Sequence, residues 1–381
     1  MHRSQDAPAS KHRHFSRFVL LLLASFAPSL ALAQVPCVGN VPLNKRILLV
    51  QGQYVEYYAS HELGAYNPDV KRAVFLVHGW SGDYTDTYYA LAQSACVAER
   101  LGWAPEATKE TILIAPHFQK DDARNGLDNY HYWSGTTWAA GNYSEVSPTV
   151  SSFSVMDAFI SQLTSRRSLR DPKPRFPNLH MIVVAGFSAG GQFAHRYAAT
   201  NSRDGNLSGI QMRYVAASPS TFLYPDNRRP NYDGSEGVGV PWVCVGPFPC
   251  TSFPTAEFLA APHCPTSYND WKYGLEELNT YATAVGVATI RERLTTRKVI
   301  VLIGTEDYLD SNHLDTTCEA RLQGPNRLDR AHRFVDYLDE RFPSNRHWLI
   351  EVGGATHNAY EMFGQPPGFA GTGSLVLFAD F

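Results

Sequence analysis

The sequence has little of what a membrane protein or a nucleic-acid-binding protein needs. Outside residues 18–26 it contains no uninterrupted apolar run that approaches the length of a membrane span, which is about 20 residues. Its 33 basic residues are slightly outnumbered by 36 acidic ones, and they form no basic block. We therefore expect neither a nucleic-acid partner nor a stable membrane anchor.

Cysteine is also scarce, and its spacing excludes the simplest metal sites. The six cysteines are not spaced like the ligands of a zinc knuckle, so no metal is predicted, and no motif calls for another cofactor. An even number of cysteines in an exported chain favours three disulfides of unassigned pairing. Cys244, Cys250 and Cys264 fall in a proline-rich stretch and are expected to pin it as an insertion over 218–282.

The start of the chain has the pattern of a removable export signal. Four basic residues precede the apolar run 18–26, and the sequence ALAQ at 31–34 offers a cleavage site after Ala33. The predicted organisation is a signal peptide over 1–33 followed by one domain over 34–381. Its removal would take the formal net charge from −3 to −6, because four basic residues and one acidic residue leave with it. We expect the product to be secreted, extracellular or periplasmic, and monomeric.

Apolar β-branched segments alternate along the chain with helical patterns. This alternation is typical of an α/β fold, with a mostly parallel, twisted sheet flanked by helices. We predict strands at 46–50, 72–77, 111–115, 180–185, 212–217, 298–303 and 347–352. We predict helices near 85–100, 152–165, 190–201, 283–296 and 326–341. Residues 117–150 and 218–282 interrupt this rhythm, and loops of that length are usually functional or independently packed.

The sequence GFSAGG at 186–191 sets a serine between glycines, after a strand and before a helical pattern. A serine on such a tight strand-to-helix turn takes a strained backbone that lifts its hydroxyl clear of the sheet. Ser188 is therefore the candidate nucleophile. A serine at this position argues against a dehalogenase, whose nucleophile would be an aspartate.

Serine needs a histidine base, which is itself oriented by a carboxylate. Each should follow a later strand, with the acid before the histidine. Asp307 lies in GTEDYLD after the strand at 298–303, and His357 lies in GGATHNAY after the strand at 347–352. We predict the triad Ser188, Asp307 and His357, with Glu306, Asp310 and Asp226 as alternative acids.

An oxyanion hole is predicted beside this serine. The strand at 72–77 runs into HGWSGD, where the Trp80 backbone N–H would face the site together with the N–H of Ala189. His78 is interpreted as a support of this turn, and His195, past the nucleophile, as a structural residue.

Taken together, HGW, GFSAGG, GTED and GGATH resemble the α/β-hydrolase superfamily over about residues 45–360. The Gly79–Trp80 pair is similar to the branch in which a bulky residue supplies the oxyanion amide, and no triple-glycine loop is present. YNDWKYGLEEL at 268–278 and LQGPNRLDRAHRF at 322–334 resemble stretches of secreted members, without an indicated substrate. The resemblance implies an α/β-hydrolase catalytic domain over 34–381.

Aromatic residues concentrate in the irregular loop before residue 150. We predict that Trp80, Trp133 and Trp138 contact substrate, since ligand clefts are mostly apolar with aromatic linings. The alternative for the loop aromatics, which include Tyr130, Tyr132 and Tyr143, is that they pack as a small satellite core.

The resulting hypothesis is a secreted serine esterase acting on a small or polymeric carboxylic ester, such as an aromatic ester or a polyester. A secreted peptidase or amidase with the same triad is the first alternative. A binding protein that kept the fold and lost catalysis is the second.

Overall fold

The computed structural model describes residues 44–121, 129–166, 171–230, 258–260, 266–308, 313–364 and 371–380. The predicted signal peptide and four of the six cysteines lie outside these residues. The other two, Cys96 and Cys318, each belong to a disulfide. The three-disulfide pattern and the pinned insertion over 218–282 therefore stay predictions.

Twelve strands occur in the described residues. In chain order they are β1 (Asn44–Val50), β2 (Gln53–Ala59), β3 (Arg72–Val77), β4 (Thr111–Pro116), β5 (Tyr143–Ser144), β6 (Ser147–Ser151), β7 (Met181–Phe187), β8 (Gln211–Ala217), β9 (Arg228–Pro230), β10 (Phe258–Ala260), β11 (Val299–Gly304) and β12 (His347–Val352).

Nine α-helices occur in the same residues. They are α1 (Tyr84–Arg100), α2 (Ala107–Glu110), α3 (Ser152–Thr164), α4 (Ala189–Thr200), α5 (Thr280–Val285), α6 (Val287–Thr296), α7 (Cys318–Arg321), α8 (Arg327–Arg341) and α9 (Thr372–Phe378). None of these helices is both long enough and apolar enough to cross a membrane.

Eight of the strands form one sheet in the order β1-β2-β4-β3-β7-β8-β11-β12. Only β2 runs against the others, pairing antiparallel with both β1 and β4. The remaining pairs, from β4 across to β12, are all parallel. Parallel strands end at the same edge of a sheet, so the loops that follow β3, β7, β11 and β12 lie along one edge.

The sheet is buried on both faces. Along β3, Val74 and Leu76 pack into one core layer with α1 and α9. Phe75 and Val77 point the opposite way, into a layer built with α3 and α4. This alternation follows from the two-residue period of a strand. It explains why the central strands are apolar throughout instead of alternating with polar residues.

The predicted strands and helices are present with their ends shifted by at most three residues, but the short elements α2, α7, β5, β6, β9 and β10 were not predicted. Strand β2 was not predicted; it follows a two-residue turn, Gln51–Gly52, in which both residues have positive φ. The single helix predicted at 283–296 is divided into α5 and α6 at Gly286, whose φ is +86°. The C-terminal helix α9 was also not predicted.

Candidate active site

The candidate nucleophile lies on a sharp turn between β7 and α4. Ser188 has φ 57° and ψ −114°, a left-handed backbone that a non-glycine residue rarely adopts. Its amide donates to the carbonyl of Ala217 on β8 at 2.9 Å, which fixes the turn to the sheet. The sequence context of Ser188 therefore corresponds to the strained strand-to-helix turn that was predicted from it.

The glycines around Ser188 are required by backbone packing. A Cβ on Gly186 would collide with the carbonyl of Gly190, and one on Gly190 would collide with the carbonyl of Val77 at the end of β3. These neighbours are backbone atoms of a central sheet, so they cannot move aside as a flexible side chain could. The GxSxG pattern is therefore a steric condition for bringing β3, β7 and α4 this close together.

The loops after β11 and β12 are joined to each other by backbone contacts. The Glu306 amide donates to the Ala355 carbonyl at 3.0 Å, and the Thr305 amide donates to the Val352 carbonyl at 3.1 Å. Gly304 permits this approach, because a Cβ there would collide with the carbonyl of Ala355. The two loops therefore bring the predicted acid and the predicted base together.

Ser188, His357 and Asp307 form one hydrogen-bonded chain. The His357 Nε2 lies 3.0 Å from the Ser188 Oγ, and its Nδ1 lies 3.1 Å from the Asp307 Oδ2. A carboxylate can only accept, so Nδ1 carries the proton and Nε2 is left to accept from the serine hydroxyl. Ser188 and Asp307 are buried, and the ring of Phe187 packs on His357 with centroids 4.7 Å apart. This is the geometry of a nucleophile with an oriented general base.

The alternative acids lie elsewhere or outside the described residues. Asp226 caps a local turn by accepting from the amide of Arg228, and Glu306 makes no described contact with His357. Asp310 lies outside the described residues. Among the described carboxylates, only Asp307 is hydrogen-bonded to His357. Its catalytic role, like those of Ser188 and His357, stays a prediction.

The predicted oxyanion turn packs directly on the nucleophile. A Cβ built on Gly79 would lie 3.5 Å from the Cβ of Ser188, so the Gly79–Trp80 peptide lies beside the serine. In the described residues neither the Trp80 amide nor the Ala189 amide donates to a backbone carbonyl. Their role in an oxyanion hole stays a prediction.

His78 fixes the orientation of the peptide that carries the Trp80 amide. Its Nε2 accepts from the Phe118 amide at 3.0 Å, so its Nδ1 must be the protonated nitrogen, which donates to the Gly79 carbonyl at 2.8 Å. In a trans peptide the carbonyl and the next N–H point in opposite directions. Holding the Gly79 oxygen against His78 therefore turns the Trp80 N–H away from it. Burial lowers the pKa of His78 to about 3, so this ring is neutral.

Trp80 is exposed over 42% of its surface. The ring of His313 stacks on its indole at 3.9 Å and 11°, and the Lys120 Nζ lies 3.9 Å from its ring centroid. A stacked ring and an ammonium group cannot share one face at that distance, so they cover opposite faces. A ligand would then reach the indole at its edge. That Trp80 contacts substrate stays a prediction.

Trp133 and Trp138 do not line a cleft, which corrects their predicted role as substrate contacts. Both are completely buried in the main core. The Trp133 Nε1 donates to the Asn142 carbonyl at 3.0 Å, while Trp138 stacks on Phe118 and packs edge-on against His78. The packing alternative was the better interpretation, although these residues belong to the main core and not to a satellite. The contact of Trp138 with the site is through His78, against which it packs.

A cavity of about 350 Å³ lies beside the helix that starts at the nucleophile. Gln192, one turn after Ser188, lines it together with Thr136 and Trp271. The Gln192 Oε1 accepts from Arg196 and from the Thr221 hydroxyl, which turns its amide nitrogen the other way. This cavity is thus partly polar. No residue of the predicted triad lines it, so the apolar substrate cleft stays a prediction.

A buried arginine lies against the candidate acid, and sequence reasoning missed it. Nη1 of Arg327, the first residue of α8, is 3.7 Å from Oδ1 of Asp307, and neither side chain is exposed. Arg330 and Arg333 on the same helix are also buried. Nothing in the sequence of the stretch 322–334 distinguishes a buried arginine from an exposed one.

The chain is similar to known proteins in structure but not in sequence. No protein-family model and no curated protein matches the sequence. Among solved structures, the chain is similar to LpqC, a poly(3-hydroxybutyrate) depolymerase from Bordetella parapertussis. The two are 16% identical with a TM-score of 0.52, over 85% of this chain and 88% of that one.

The chain is also similar to poly(aspartic acid) hydrolase-1 from Sphingomonas sp. KT-1. Identity is 18% and the TM-score is 0.51, over 84% of this chain and 95% of that one. At these identities the likeness establishes the fold. The chain has the α/β-hydrolase fold, as its motifs predicted.

Proposed function

We propose that this protein is a serine hydrolase that cleaves carboxylic esters through an acyl-enzyme intermediate. The observation that carries the proposal is the unbroken hydrogen-bonded chain from Ser188 through His357 to Asp307, at 3.0 and 3.1 Å. The fold supports it, because the three side chains follow β7, β11 and β12 at one edge of the sheet.

In the first half of the proposed reaction, the Ser188 Oγ attacks the ester carbonyl carbon as its proton passes to the His357 Nε2. Asp307 accepts from Nδ1 and stabilises the imidazolium that forms. The tetrahedral intermediate collapses when His357 gives that proton to the departing alcohol. A water molecule then repeats the sequence on the acyl-enzyme and releases the acid.

The oxyanion of each tetrahedral intermediate would be bound by the amides of Trp80 and Ala189. His78 contributes by holding the Gly79 carbonyl at 2.8 Å, so that the Trp80 amide is oriented before substrate arrives. A preorganised donor of this kind contributes about 3 kcal/mol of transition-state stabilisation.

For the substrate we propose an ester within a polymer. The two structurally similar proteins named above are a depolymerase and a hydrolase of polymers, and one of those polymers, poly(3-hydroxybutyrate), is a polyester. A partly exposed Trp80 beside Ser188 suits a chain that enters from outside. Export and a disulfide-pinned insertion are part of this proposal, and the disulfide-bonded Cys96 and Cys318 favour an oxidising compartment.

The test measures hydrolysis of p-nitrophenyl esters of increasing acyl length, poly(3-hydroxybutyrate) films and a peptide amide series. Wild type is expected to hydrolyse the esters and to bind a fluorophosphonate probe covalently at Ser188. Ser188→Ala and His357→Ala should each lose at least a thousandfold in kcat, and the double variant little more, since the residues act as one unit.

The controls separate the competing functions. Ser202→Ala removes the hydroxyl of a serine just beyond α4 and should leave the rates unchanged. Turnover of amides faster than of esters would support the amidase alternative. If Ser188→Ala hydrolysed esters at the wild-type rate, Ser188 would not be the nucleophile. The absence of both hydrolysis and probe labelling in wild type would favour the non-catalytic alternative.

A further inference from the structure

The carboxylate of Asp307 has two different partners on its two oxygens. Oδ2 is bonded to His357, whereas Oδ1 accepts no hydrogen bond from the described residues. The cationic group near Oδ1 is the guanidinium of Arg327, whose Nη1 is 3.7 Å away. The acid therefore lies between the imidazole it orients and a buried positive charge.

A buried arginine is costly, and its position here is specific. Removing a guanidinium from water costs several kcal/mol, which an apolar residue of similar volume would avoid. Arg327 is completely buried, and its guanidinium lies beside the equally buried Asp307. A positive charge in this position favours the ionised form of the acid.

We propose that Arg327 is a positioning residue that keeps the Asp307 carboxylate charged and directed at His357. It does not touch substrate; it acts through the acid. The inference rests on the proposed function, because it assigns Arg327 to the same triad. It predicts that the proton affinity of the triad depends on a residue in α8 that lies beside the carboxylate oxygen not bonded to His357.

Other ionisable groups lie on the elements around the pair, and several of them have their own partners. Those on the neighbouring elements are Glu306 and Tyr308 after β11, Asp315 before α7, Asp329, Arg330 and Arg333 on α8, and Glu361 after β12. Glu361 accepts from the amide and hydroxyl of Thr356. Asp315 pairs with Lys272, and Asp329 lies 3.5 Å from Arg333. Burial raises the pKa of Asp329 to about 6, so this carboxyl needs a control of its own.

Removal of the positive charge of Arg327 should move the pH dependence of kcat/KM in one direction only. Ser188 is activated only when the His357–Asp307 pair carries no extra proton. Arg327 repels a proton from that pair, wherever in the pair the proton would bind. Without Arg327 the pair takes up a proton at higher pH, and the acid limb of kcat/KM moves to higher pH.

The experiment compares pH profiles of kcat/KM for p-nitrophenyl ester hydrolysis. Arg327→Met is expected to shift the acid limb upward by about one pH unit, since an opposite charge at this distance shifts proton affinity by at least that much. It should also lower kcat at pH 7 about tenfold or more. Arg327→Lys, which keeps the charge, should keep the limb near its wild-type position.

Arg330→Met and Asp329→Asn are the matched controls. Arg330 is equally buried one turn along α8, and it donates to the carbonyls of Gly324, Ser220 and Asp315. Its removal should lower the unfolding temperature without moving the limb. Asp329→Asn removes the second titrating group and should also leave the limb in place.

The proposal is wrong if the acid limb of kcat/KM does not move in Arg327→Met. It is also wrong if Arg330→Met moves that limb by the same amount. If Arg327→Met does not fold, unfolding temperatures of Arg327→Gln, Asp307→Asn and the double variant decide. We expect the double variant to lose less than the two single losses combined, and strict additivity overturns the ion pair. A wild type without ester hydrolysis would instead reject the proposed function, which distinguishes the two failures.

Discussion

The two halves of the candidate site are held by different forces. The nucleophile turn is fixed by backbone packing, with Gly186 and Gly190 allowing carbonyl oxygens to approach where a side chain would collide. The loop of the acid is also joined by backbone contacts at Gly304, but the Asp307 side chain is held in addition by charge, since it and Arg327 are both completely buried and lie 3.7 Å apart. Close backbone packing can be recognised in the sequence, because it requires glycine. A buried ion pair cannot, because the sequence does not show whether a charged residue is buried.

The two halves of the site also differ in the substitutions that they tolerate. A backbone that is packed to contact cannot accept one added methyl group, because the displaced atoms belong to the central sheet. A charged pair accepts a change of shape more readily than a change of charge. The predictions below therefore probe packing on one side and charge on the other.

Among the variants that test this contrast, the largest effect is expected for Gly190→Ala. Its new Cβ would collide with the Val77 carbonyl, so either the turn or the end of β3 has to move. We expect a loss of about 2–3 kcal/mol in the free energy of unfolding and of about a hundredfold or more in kcat/KM. Urea unfolding and steady-state kinetics measure the two.

Gly353→Ala is the matched control, because no heavy atom lies within 4 Å of a Cβ built there. It should be near wild type in both measurements. If Gly190→Ala were as active and as stable as Gly353→Ala, backbone packing would not be what holds the nucleophile turn.

A smaller effect is expected for His78→Phe, which keeps an aromatic ring and removes the bond to the Gly79 carbonyl. The Trp80 amide then loses its fixed direction, so kcat should fall about tenfold while KM changes little. That pattern is typical of an interaction made mainly in the transition state. His195→Phe, also completely buried, should alter stability and leave kcat near wild type. A loss confined to KM would contradict the role given to His78.

The smallest effect on activity is expected for Glu56→Gln, at a second buried charge cluster. The pKa of Glu56 is lowered to about 2, first by His117, whose Nδ1 lies 3.6 Å from the carboxylate, and also by Lys45 and Tyr84. A lowered pKa stabilises the fold above the ordinary value of 4.5, and this contribution is lost as the pH falls from there towards 2.

We therefore expect Glu56→Gln to be less stable than wild type by about 2–3 kcal/mol at pH 7. The difference should shrink at pH 3, and urea unfolding at pH 3, 5 and 7 tests this. Hydrolysis should stay within about threefold of wild type and the acid limb of kcat/KM should not move. If the acid limb moved as far as in Arg327→Met, Glu56 would affect the triad as Arg327 does, and its role would not be limited to stability.

Sequence reasoning reached the parts of the site that depend on chain order and backbone geometry. GFSAGG predicted the strained Ser188, and the strand-loop pattern brought Asp307 and His357 to the same edge. It failed for Trp133 and Trp138, because aromatic residues in an irregular loop have the same pattern whether they face a ligand or a core. It also missed Arg327, since a charged helical residue is normally solvent-exposed and only tertiary packing buries it.

The position of β12 at the margin of the sheet has a consequence for how activity is lost. Within the described sheet β12 pairs with β11 alone, and the loop that follows it carries His357. Edge strands open at lower free energy than central ones, often as local units. Mild denaturants should therefore abolish turnover while β3, β7 and β8 remain paired, so that enzymatic rate reports the fraying of one strand and far-UV ellipticity reports the rest.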